Sequence, residues 1–233
     1  MAERIGIIGA MAEEVELLHA HMKQERTTQR AGIVYVEGTF QNRSVVVCKS
    51  GVGKVNAAVC TQVLIDRFGA DAVVFTGVAG ALDPALEIGD IVVSSSCLQH
   101  DMDVTALGFP LGAIPYQDVS DFPADPQLSE LARRCAEQAT GRVVVGRVLS
   151  GDQFVANRDK VAKLHQELGG VCTEMEGAAV AQVCAMNGVP YVVIRSMSDK
   201  ADGSASVNFA TFARESADRS YAIVSGMLQA IGE

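Results

Sequence analysis

The order of apolar and amphipathic segments is the feature that most restricts how this chain of 233 residues can fold. Short apolar runs of strand length alternate with amphipathic segments of helix length over most of the sequence. Such alternation is typical of α/β proteins, in which helices cover both faces of a parallel or mixed sheet. We therefore predict a single domain, residues 1–233, with a central mixed and twisted β-sheet between two layers of helices, a three-layer α/β/α arrangement.

The segments behind this prediction differ in periodicity and length. Seven apolar segments are predicted to be strands: 4–9, 33–39, 44–49, 72–77, 90–97, 143–150 and 190–196. Six longer segments are predicted to be helices: 11–24, 54–68, 126–139, 157–168, 176–187 and 208–230. The short connection Gln41-Asn42-Arg43 indicates an antiparallel hairpin. The irregular stretch of roughly 100–125 is of the kind that usually serves function or an interface.

The chain is acidic, with a formal net charge of −9 and a pI near 4.9. Nucleic acids and anionic membranes attract basic proteins, so neither is expected as a partner. No segment approaches the roughly 20 apolar residues of a membrane span. The negative charge favours a neutral or cationic small molecule as ligand. The apolar run at the N-terminus leads into acidic residues and not into a cleavage site, so we expect a cytoplasmic protein.

The six cysteines include no C-x-x-C pair. We predict that they are small buried thiols in a reducing compartment. The four histidines are scattered, and no spacing typical of a metal site is present.

Glycines and acidic residues follow the predicted strands. In open α/β sheets, ligands bind at the carboxyl ends of the strands, where the chain turns into a helix. We therefore expect these residues to converge at one edge of the sheet. The segments are Gly9 to Glu14, Ser50 to Lys54, Gly77 to Ala81, Gly151 to Phe154, Glu174 to Gly177 and Met197 to Asp199.

The first glycine motif at this edge does not match a known phosphate-binding pattern. Gly51-Val-Gly-Lys54 lacks the earlier glycine and the following hydroxyl residue of a phosphate-binding loop. It also lacks the third glycine of a dinucleotide-binding motif, because Asn56 stands there. Two interpretations remain for this motif and for Gly77-Val-Ala-Gly80: a tight strand-to-helix turn, or close approach of the main chain to a flat ligand.

Three acids are candidates for chemistry, and each has a structural alternative. Glu14 opens a predicted helix, where the helix dipole also favours a carboxylate. Glu176 opens a helix of small residues that can press closely on the sheet, and Asp199 follows a strand with a buried pattern. Arg195, in that same strand, could pair with one of these acids, and a purely structural ion pair is an alternative to a catalytic role.

Two apolar side chains stand beside these acids at strand ends, Phe154 and Met175. Either could belong to the core. An aromatic ring and a thioether at the edge of a site would instead suit a planar base and the apolar face of a sugar.

Five motifs in order resemble those of the bacterial 5′-methylthioadenosine/S-adenosylhomocysteine nucleosidases of the nucleoside phosphorylase superfamily. They are Ile5-Gly-Ile-Ile-Gly-Ala-Met11-x-Glu-Glu14, Ser50-Gly-Val-Gly-Lys-Val55, Ser150-Gly-Asp-Gln-Phe154, Glu174-Met-Glu-Gly-Ala178 and Arg195-Ser-Met-Ser-Asp199. The likeness extends from residue 4 to about 230. It implies a homodimeric hydrolase that cleaves the N-glycosidic bond of small adenine nucleosides and needs no cofactor and no metal.

The resemblance also implies roles for individual residues. Glu14 would activate the attacking water, with Arg195 helping to hold that water. Asp199, oriented by Ser198, would protonate N7 of adenine, and Glu176 would bind the ribose hydroxyls. Further nucleoside contacts are implied for Met11, Val52, Val78, Ala79, Gly80, Phe154, Val155, Glu174, Met175 and Phe209, and a part in the partner subunit's pocket for Val104, Leu107, Phe109 and Pro115.

The sequence departs from its relatives at two places. Val78 stands where several relatives carry a hydroxyl residue, and Leu107 is aliphatic where relatives carry an aromatic one. The stretches 99–103 and 108–112 resemble a branch of the family that also hydrolyses 6-amino-6-deoxyfutalosine, which is the first alternative substrate.

Two other functions are alternatives to hydrolysis. A phosphate-dependent nucleoside phosphorylase would need basic residues near the nucleophile, whereas Glu13 and Glu14 would repel phosphate there. A non-catalytic nucleoside-binding protein is disfavoured because all three candidate acids are present.

Overall fold

The computed structural model describes residues 3–140, 142–201 and 205–231, without the side chains of 140, 205–211 and 213. These residues form ten strands and six α-helices. The strands are β1 (Arg4–Gly9), β2 (Lys23–Arg30), β3 (Ile33–Phe40), β4 (Arg43–Lys49), β5 (Ala72–Ala81), β6 (Ile91–Gln99), β7 (Asp121–Pro123), β8 (Val143–Ser150), β9 (Gly170–Glu174) and β10 (Tyr191–Asp199). The helices are α1 (Glu13–His21), α2 (Lys54–Phe68), α3 (Pro126–Thr140), α4 (Arg158–Leu168), α5 (Gly177–Asn187) and α6 (Ala205–Ala230).

The strands form one mixed sheet, part of which closes on itself. β4, β1, β5 and β10 lie parallel to one another in that order. β6 is antiparallel to β10, and β8 and β9 continue parallel to β6. β9 then pairs antiparallel with β5 at Gly80 and Ala81, so that β5, β10, β6, β8 and β9 form a closed ring of strands. The predicted mixed sheet is confirmed.

Closure of this ring explains why strand ends meet at one site. β8 and β9 run opposite to β5 and β10, so their carboxyl ends would lie at the far edge of a flat sheet. β5 and β9, however, pair only near the carboxyl end of each strand, at Gly80 with Thr173 and Ala81 with Cys172. The predicted convergence therefore results from the closed ring and not from uniformly parallel strands.

Helices cover both faces of the sheet because side chains on a strand alternate between its faces. On β1, Ile5 and Ile7 pack in the same apolar cluster as buried residues of α1, α3 and α6. Ile8 packs on the other face with buried residues of α2 and α5. The three-layer arrangement is therefore confirmed, and α4 covers a smaller third cluster with Leu164 and Leu168.

The structure corrects the sequence prediction at several elements. β2 occupies part of the predicted helix 11–24 and residues beyond it, because its polar, largely exposed side chains leave no apolar pattern and its backbone pairs with β3. The irregular stretch 100–125 contains a 3₁₀ turn, Thr105–Leu107, and β7. The predicted hairpin of β3 and β4 is confirmed, and Gln41 and Asn42 at its turn have positive φ angles of 48° and 60°.

Two strands extend further than the sequence predicts. β5 continues to Ala81 and β10 to Asp199, because their carboxyl halves pair with each other in parallel, with Arg195 beside Gly77 and Asp199 beside Gly80. Glycine weakens the local preference for a strand, so this extension depends on the pairing. Asp199 consequently lies within a strand and not in the loop after it.

All six cysteines are free and buried, as predicted. The sulfur atoms of Cys48 and Cys60 lie 3.3 Å apart as a hydrogen-bonded pair of thiols. No helix in the described part of the chain is long and apolar enough to cross a membrane.

The packing of α2 on the sheet yields a stability prediction. Leu64 is completely buried, and its Cδ1 lies 3.2 Å from the point where a Cβ on Gly6 of β1 would stand. We expect Leu64→Ala to lower the free energy of unfolding by about 2–5 kcal/mol, because it leaves a cavity between the helix and the sheet. Arg67→Ala, at an exposed position of the same helix, should change it by less than about 0.5 kcal/mol. Urea unfolding followed by circular dichroism measures both, and equal effects would contradict the packing described.

Candidate active site

A cavity of about 490 Å³ opens where the ends of β1, β5, β9 and β10 meet. It contains most of the residues predicted for the site. Those that line it are Met11, Glu14, Val52, Val78, Ala79, Gly80, Phe154, Val155, Glu174, Met175, Glu176, Ser198 and Asp199. Ala10 and Gln153, which lie in the segments expected to converge but were not predicted individually, and Thr173, which the sequence prediction missed, also line it.

Glu14 reaches back from the first turn of α1 to the end of β1. Its Oε2 accepts hydrogen bonds from the backbone N–H groups of Ala10 and Met11 at 2.6 and 2.8 Å. Its Oε1 accepts one from the N–H of Val78 at 3.2 Å. Burial raises the pKa of Glu14, while the charge of Arg195 and these hydrogen bonds act in the opposite direction. These bonds hold the carboxyl group in place, and Oε1 can still accept a hydrogen bond from one more donor.

Arg195 is a buried cation behind the lining of the cavity. Its guanidinium stacks on the ring of Phe75, with Cζ 3.9 Å from the ring centroid. Its Nη2 contacts Oε2 of Glu174 and lies 4.0 Å from Oε2 of Glu176. Arg195 is therefore in a buried ion pair, but its contacting partner is Glu174 and not one of the three candidate acids.

Gly77 allows Arg195 and Glu14 to approach the same point of β5. A Cβ at this position would stand 2.4 Å from Nη1 of Arg195 and 2.6 Å from Oε1 of Glu14. No side chain fits between them. The requirement for glycine at this position is therefore steric and does not concern a turn.

Glu174 connects four groups. Its carboxylate accepts hydrogen bonds from the hydroxyl of Ser150 and from the backbone N–H of Gly177, the latter at 2.8 and 3.0 Å, in addition to its contact with Arg195. It also accepts one from the N–H of Glu176 at 3.2 Å. Glu174 therefore balances the charge of Arg195 and also accepts hydrogen bonds from the amide groups at the start of α5. The sequence placed Glu174 in the site, but it did not indicate this connecting role.

Glu176 occupies the N-cap position of α5 at the wall of the cavity. Its Oε1 accepts a hydrogen bond from the N–H of Gly53 at 2.8 Å. Burial and then the neighbouring Glu174 raise the pKa of Glu176 to about 7, while Arg195 lowers it and Glu14 adds a small increase. This carboxyl group therefore changes its charge near neutral pH.

Asp199 lies at the end of β10 and is held from both sides. Its Oδ2 accepts a hydrogen bond from the hydroxyl of Ser198 at 2.8 Å, and its Oδ1 accepts one from the N–H of Ala201 at 2.7 Å. A Cβ on Gly80 would stand only 3.0 Å from Oδ1 of Asp199, so the glycine lets this carboxyl group lie against the strand.

The remaining wall is apolar and includes Phe154, whose side chain is 58% exposed at the opening. Met175, Val155 and Val52 line the same space. Acids on one side and an aromatic ring with aliphatic groups on the other suit a ligand that has both a polar ring and a flat base.

Some predicted site residues lie elsewhere. The four residues expected to enter a partner subunit's pocket, Val104, Leu107, Phe109 and Pro115, do not line this cavity. Leu107 is 72% exposed in the 3₁₀ turn. The side chain of Phe209 lies outside the described part of the structure.

Comparisons with known proteins show the family to which the fold belongs. The model of the phosphorylase superfamily matches residues 4–229. A 5′-methylthioadenosine/S-adenosylhomocysteine nucleosidase of Actinobacillus succinogenes is 41% identical over 226 residues, which cover 97% of this chain and 98% of the relative. The crystal structure of such a nucleosidase from Neisseria meningitidis in complex with methylthio-immucillin-A superposes with a TM-score of 0.93 at 37% identity, covering 97% and 99% of the two chains.

A futalosine hydrolase mutant of Helicobacter pylori is also similar, with a TM-score of 0.91 at 36% identity over 97% of this chain and 98% of that one. The fold is that of a nucleoside-cleaving enzyme of the phosphorylase superfamily. Within that superfamily the chain belongs to the 5′-methylthioadenosine/S-adenosylhomocysteine nucleosidase family.

The buried charge of Glu176 yields a pH-dependent stability prediction. Its pKa of about 7 in the folded protein exceeds its ordinary value of 4.5, so between these pH values the folded chain binds the proton more tightly than the unfolded chain. Ionisation of Glu176 therefore lowers the free energy of unfolding as pH rises through that window, by up to roughly 3 kcal/mol. We expect Glu176→Gln to be more stable than the unchanged protein at pH 8, with the difference disappearing towards pH 4.5.

Thermal unfolding at several pH values measures this difference. Asp118→Asn, which changes an exposed acid, serves as the control and should show no such trend. A difference between Glu176→Gln and the unchanged protein that stays constant across the range would contradict the assignment.

Proposed function

We propose that the chain hydrolyses the N-glycosidic bond of 5′-methylthioadenosine and S-adenosylhomocysteine, and also of 5′-deoxyadenosine, to release adenine. The proposal rests on three buried carboxyl groups around one cavity that also has an apolar wall, those of Glu14, Glu176 and Asp199. Breaking this bond creates a sugar with oxocarbenium character and a basic leaving group. The reaction therefore needs a base at the water, an acid at the purine and negative charge near the sugar.

Glu14 is assigned as the base that removes a proton from the attacking water. Three backbone hydrogen bonds fix its carboxyl group, and the raised pKa that burial causes makes it a stronger base than an exposed glutamate. Arg195 approaches it closely beside Gly77 and is assigned to help hold the water. Water then attacks the anomeric carbon, and the bond from that carbon to the purine nitrogen breaks.

Asp199 is assigned as the donor of a proton to N7 of adenine as this bond breaks. The Ser198 hydroxyl and the Ala201 N–H orient its carboxyl group. Protonation makes the purine a neutral leaving group and so lowers the barrier. Phe154 would stack on the purine, the backbone of Val155 would read its edge, and Gly80 would let the main chain approach it.

Glu176 is assigned to bind the 2′- and 3′-hydroxyls of the ribose. The N–H of Gly53 occupies Oε1, and a carboxylate has capacity for further donors. Met175 would pack beneath the sugar. Charge on this carboxylate stabilises the sugar cation most strongly in the transition state, where the positive charge is largest.

We also infer a homodimer in the cytoplasm. The 104–115 segment presents Leu107, whose side chain is 72% exposed, outside the cavity, and Tyr116, directly after this segment in the sequence, is 94% exposed. In a dimer these side chains would cover the partner's cavity near the 5′ substituent. Six free buried thiols suit a reducing compartment.

Aminodeoxyfutalosine is the alternative substrate, and the similarity to a futalosine hydrolase favours testing it. Adenine release from methylthioadenosine, S-adenosylhomocysteine, 5′-deoxyadenosine and aminodeoxyfutalosine should be measured in parallel, with and without phosphate. We expect release from the first three at rates independent of phosphate, because the carboxylate of Glu14 repels a phosphate nucleophile. A strict requirement for phosphate would indicate a phosphorylase, and activity on aminodeoxyfutalosine alone would establish the alternative substrate.

The proton donor has its own test. We expect Asp199→Asn to lower kcat for methylthioadenosine at least about 100-fold, because asparagine cannot protonate N7. Binding of a non-hydrolysable analogue should weaken by less than about tenfold. Ser198→Ala, which removes only the orienting hydroxyl, should reduce kcat less. Unchanged turnover in Asp199→Asn would refute the assignment.

A further inference from the structure

Three polar residues outside the cavity form a closed set of contacts, here called the polar ring: Lys54, Asp101 and Asp152. Nζ of Lys54 donates to Oδ1 of Asp101 at 2.6 Å. The backbone N–H of Asp152 donates to Oδ2 of Asp101 at 2.9 Å, and that of Lys54 donates to Oδ1 of Asp152 at 2.8 Å. Each residue thus contacts the other two, although they belong to three segments far apart in the sequence.

The polar ring adjoins the parts of the cavity assigned to the nucleoside. Gly53, next to Lys54, donates its N–H to Oε1 of Glu176. Its φ angle is 99°, and a Cβ there would stand 3.2 Å from Oδ1 of Asp152. The Gly53 amide therefore has a backbone conformation that most other residues adopt only with strain, and the polar ring holds it from one side.

The ion pair in the polar ring is shielded from water. The side chains of Lys54 and Asp101 are 17% and 13% exposed, so solvent and salt screen their attraction less than at an open surface. Although burial opposes the charge, the hydrogen bonds from Lys54 and Asp152 lower the pKa of Asp101. Asp101 is therefore ionised at neutral pH and binds Lys54 as a charged pair.

The same lysine is connected to the helix that Glu176 caps. Nζ of Lys54 also donates to Oε1 of Gln99 at 2.9 Å, and Nε2 of Gln99 donates to Oε1 of Gln182 on α5 at 2.6 Å. Both sides of the hydrogen bond between Gly53 and Glu176 are thus tied to Lys54. This geometry restrains the amide and the carboxyl group relative to each other.

We propose that Lys54 and Asp101 are positioning residues for Glu176. The polar ring holds the Gly53 N–H in its hydrogen bond to Oε1 of Glu176 and so fixes the orientation in which this carboxylate binds the ribose hydroxyls. Neither residue lines the cavity, so the effect acts through Glu176. This inference rests on the proposed function, in which Glu176 binds the sugar.

The test compares methylthioadenosine with its 2′-deoxy analogue. For the unchanged protein, the ratio of kcat/KM between the two substrates measures the contribution of the 2′-hydroxyl. We expect Asp101→Asn and Lys54→Met each to lower kcat/KM for methylthioadenosine about tenfold, the scale of one lost hydrogen bond, and for the 2′-deoxy analogue less than about threefold. The ratio should therefore fall. Partial unfolding would reduce both activities equally and leave the ratio unchanged.

Two further variants act as controls. Asp121→Asn removes an ion pair with Arg147 that has the same 2.6 Å separation but lies outside the cavity lining, and it should leave the ratio unchanged. Lys54→Arg keeps the positive charge opposite Asp101, so its ratio should lie closer to that of the unchanged protein than the ratio of Lys54→Met does. If Asp101→Asn does not fold, Lys54→Met and Lys54→Arg still provide the comparison.

The outcomes separate this inference from the proposed function. Glu176→Gln should lower the same ratio, and if it does not, the sugar-binding assignment itself fails. If Glu176→Gln lowers the ratio while Asp101→Asn and Lys54→Met do not, Glu176 binds the sugar and the polar ring does not position it. Absence of adenine release from every nucleoside in the unchanged protein would refute the proposed function.

Discussion

One buried cation, Arg195, makes the rest of the site possible. Three largely buried carboxyl groups, those of Glu14, Glu174 and Glu176, surround it, and buried charges are tolerated only when they are paired and hydrogen-bonded. Arg195 is 1% exposed and lies on the ring of Phe75, so its charge is balanced by these carboxyl groups and not by solvent. Removing the contacting partner of such a buried pair, here Glu174, typically costs about 3–5 kcal/mol.

The acids around this cation divide into two kinds. Glu174 uses its oxygens on Arg195, on Ser150 and on the first amides of α5, and so it serves mainly to hold other groups in place. Glu14 and Glu176 are less completely paired, and burial raises the pKa of both. A raised pKa strengthens Glu14 as a base and makes the charge on Glu176 sensitive to its surroundings. The ion pair thus supports two carboxyl groups whose environment suits chemistry and ligand binding.

The closed ring of strands brings these groups together. Pairing between β5 and β10 sets Gly77 beside Arg195 and Gly80 beside Asp199, so that the two glycines leave room for the charged groups next to them. Pairing between β5 and β9 then places Glu174 and Glu176 opposite. In a flat sheet with the same strands, the carboxyl ends of β8 and β9 would lie at the edge opposite to that of β10, because these strands run in the opposite direction. The geometry of the site is therefore a property of how the sheet closes.

The sequence by itself determined most of the strands and helices, the two helical layers and the set of acids, because side-chain periodicity and residue type are local properties. It did not predict β2, whose polar side chains have no apolar alternation, nor the extension of β5 and β10 through glycines. Only the tertiary structure decided that Glu174 pairs with Arg195, that Gly77 lies between Arg195 and Glu14, and that Lys54 meets Asp101. Each of these contacts joins segments that are distant in the chain. Local sequence patterns do not predict such contacts, because strand pairing and packing bring the segments together.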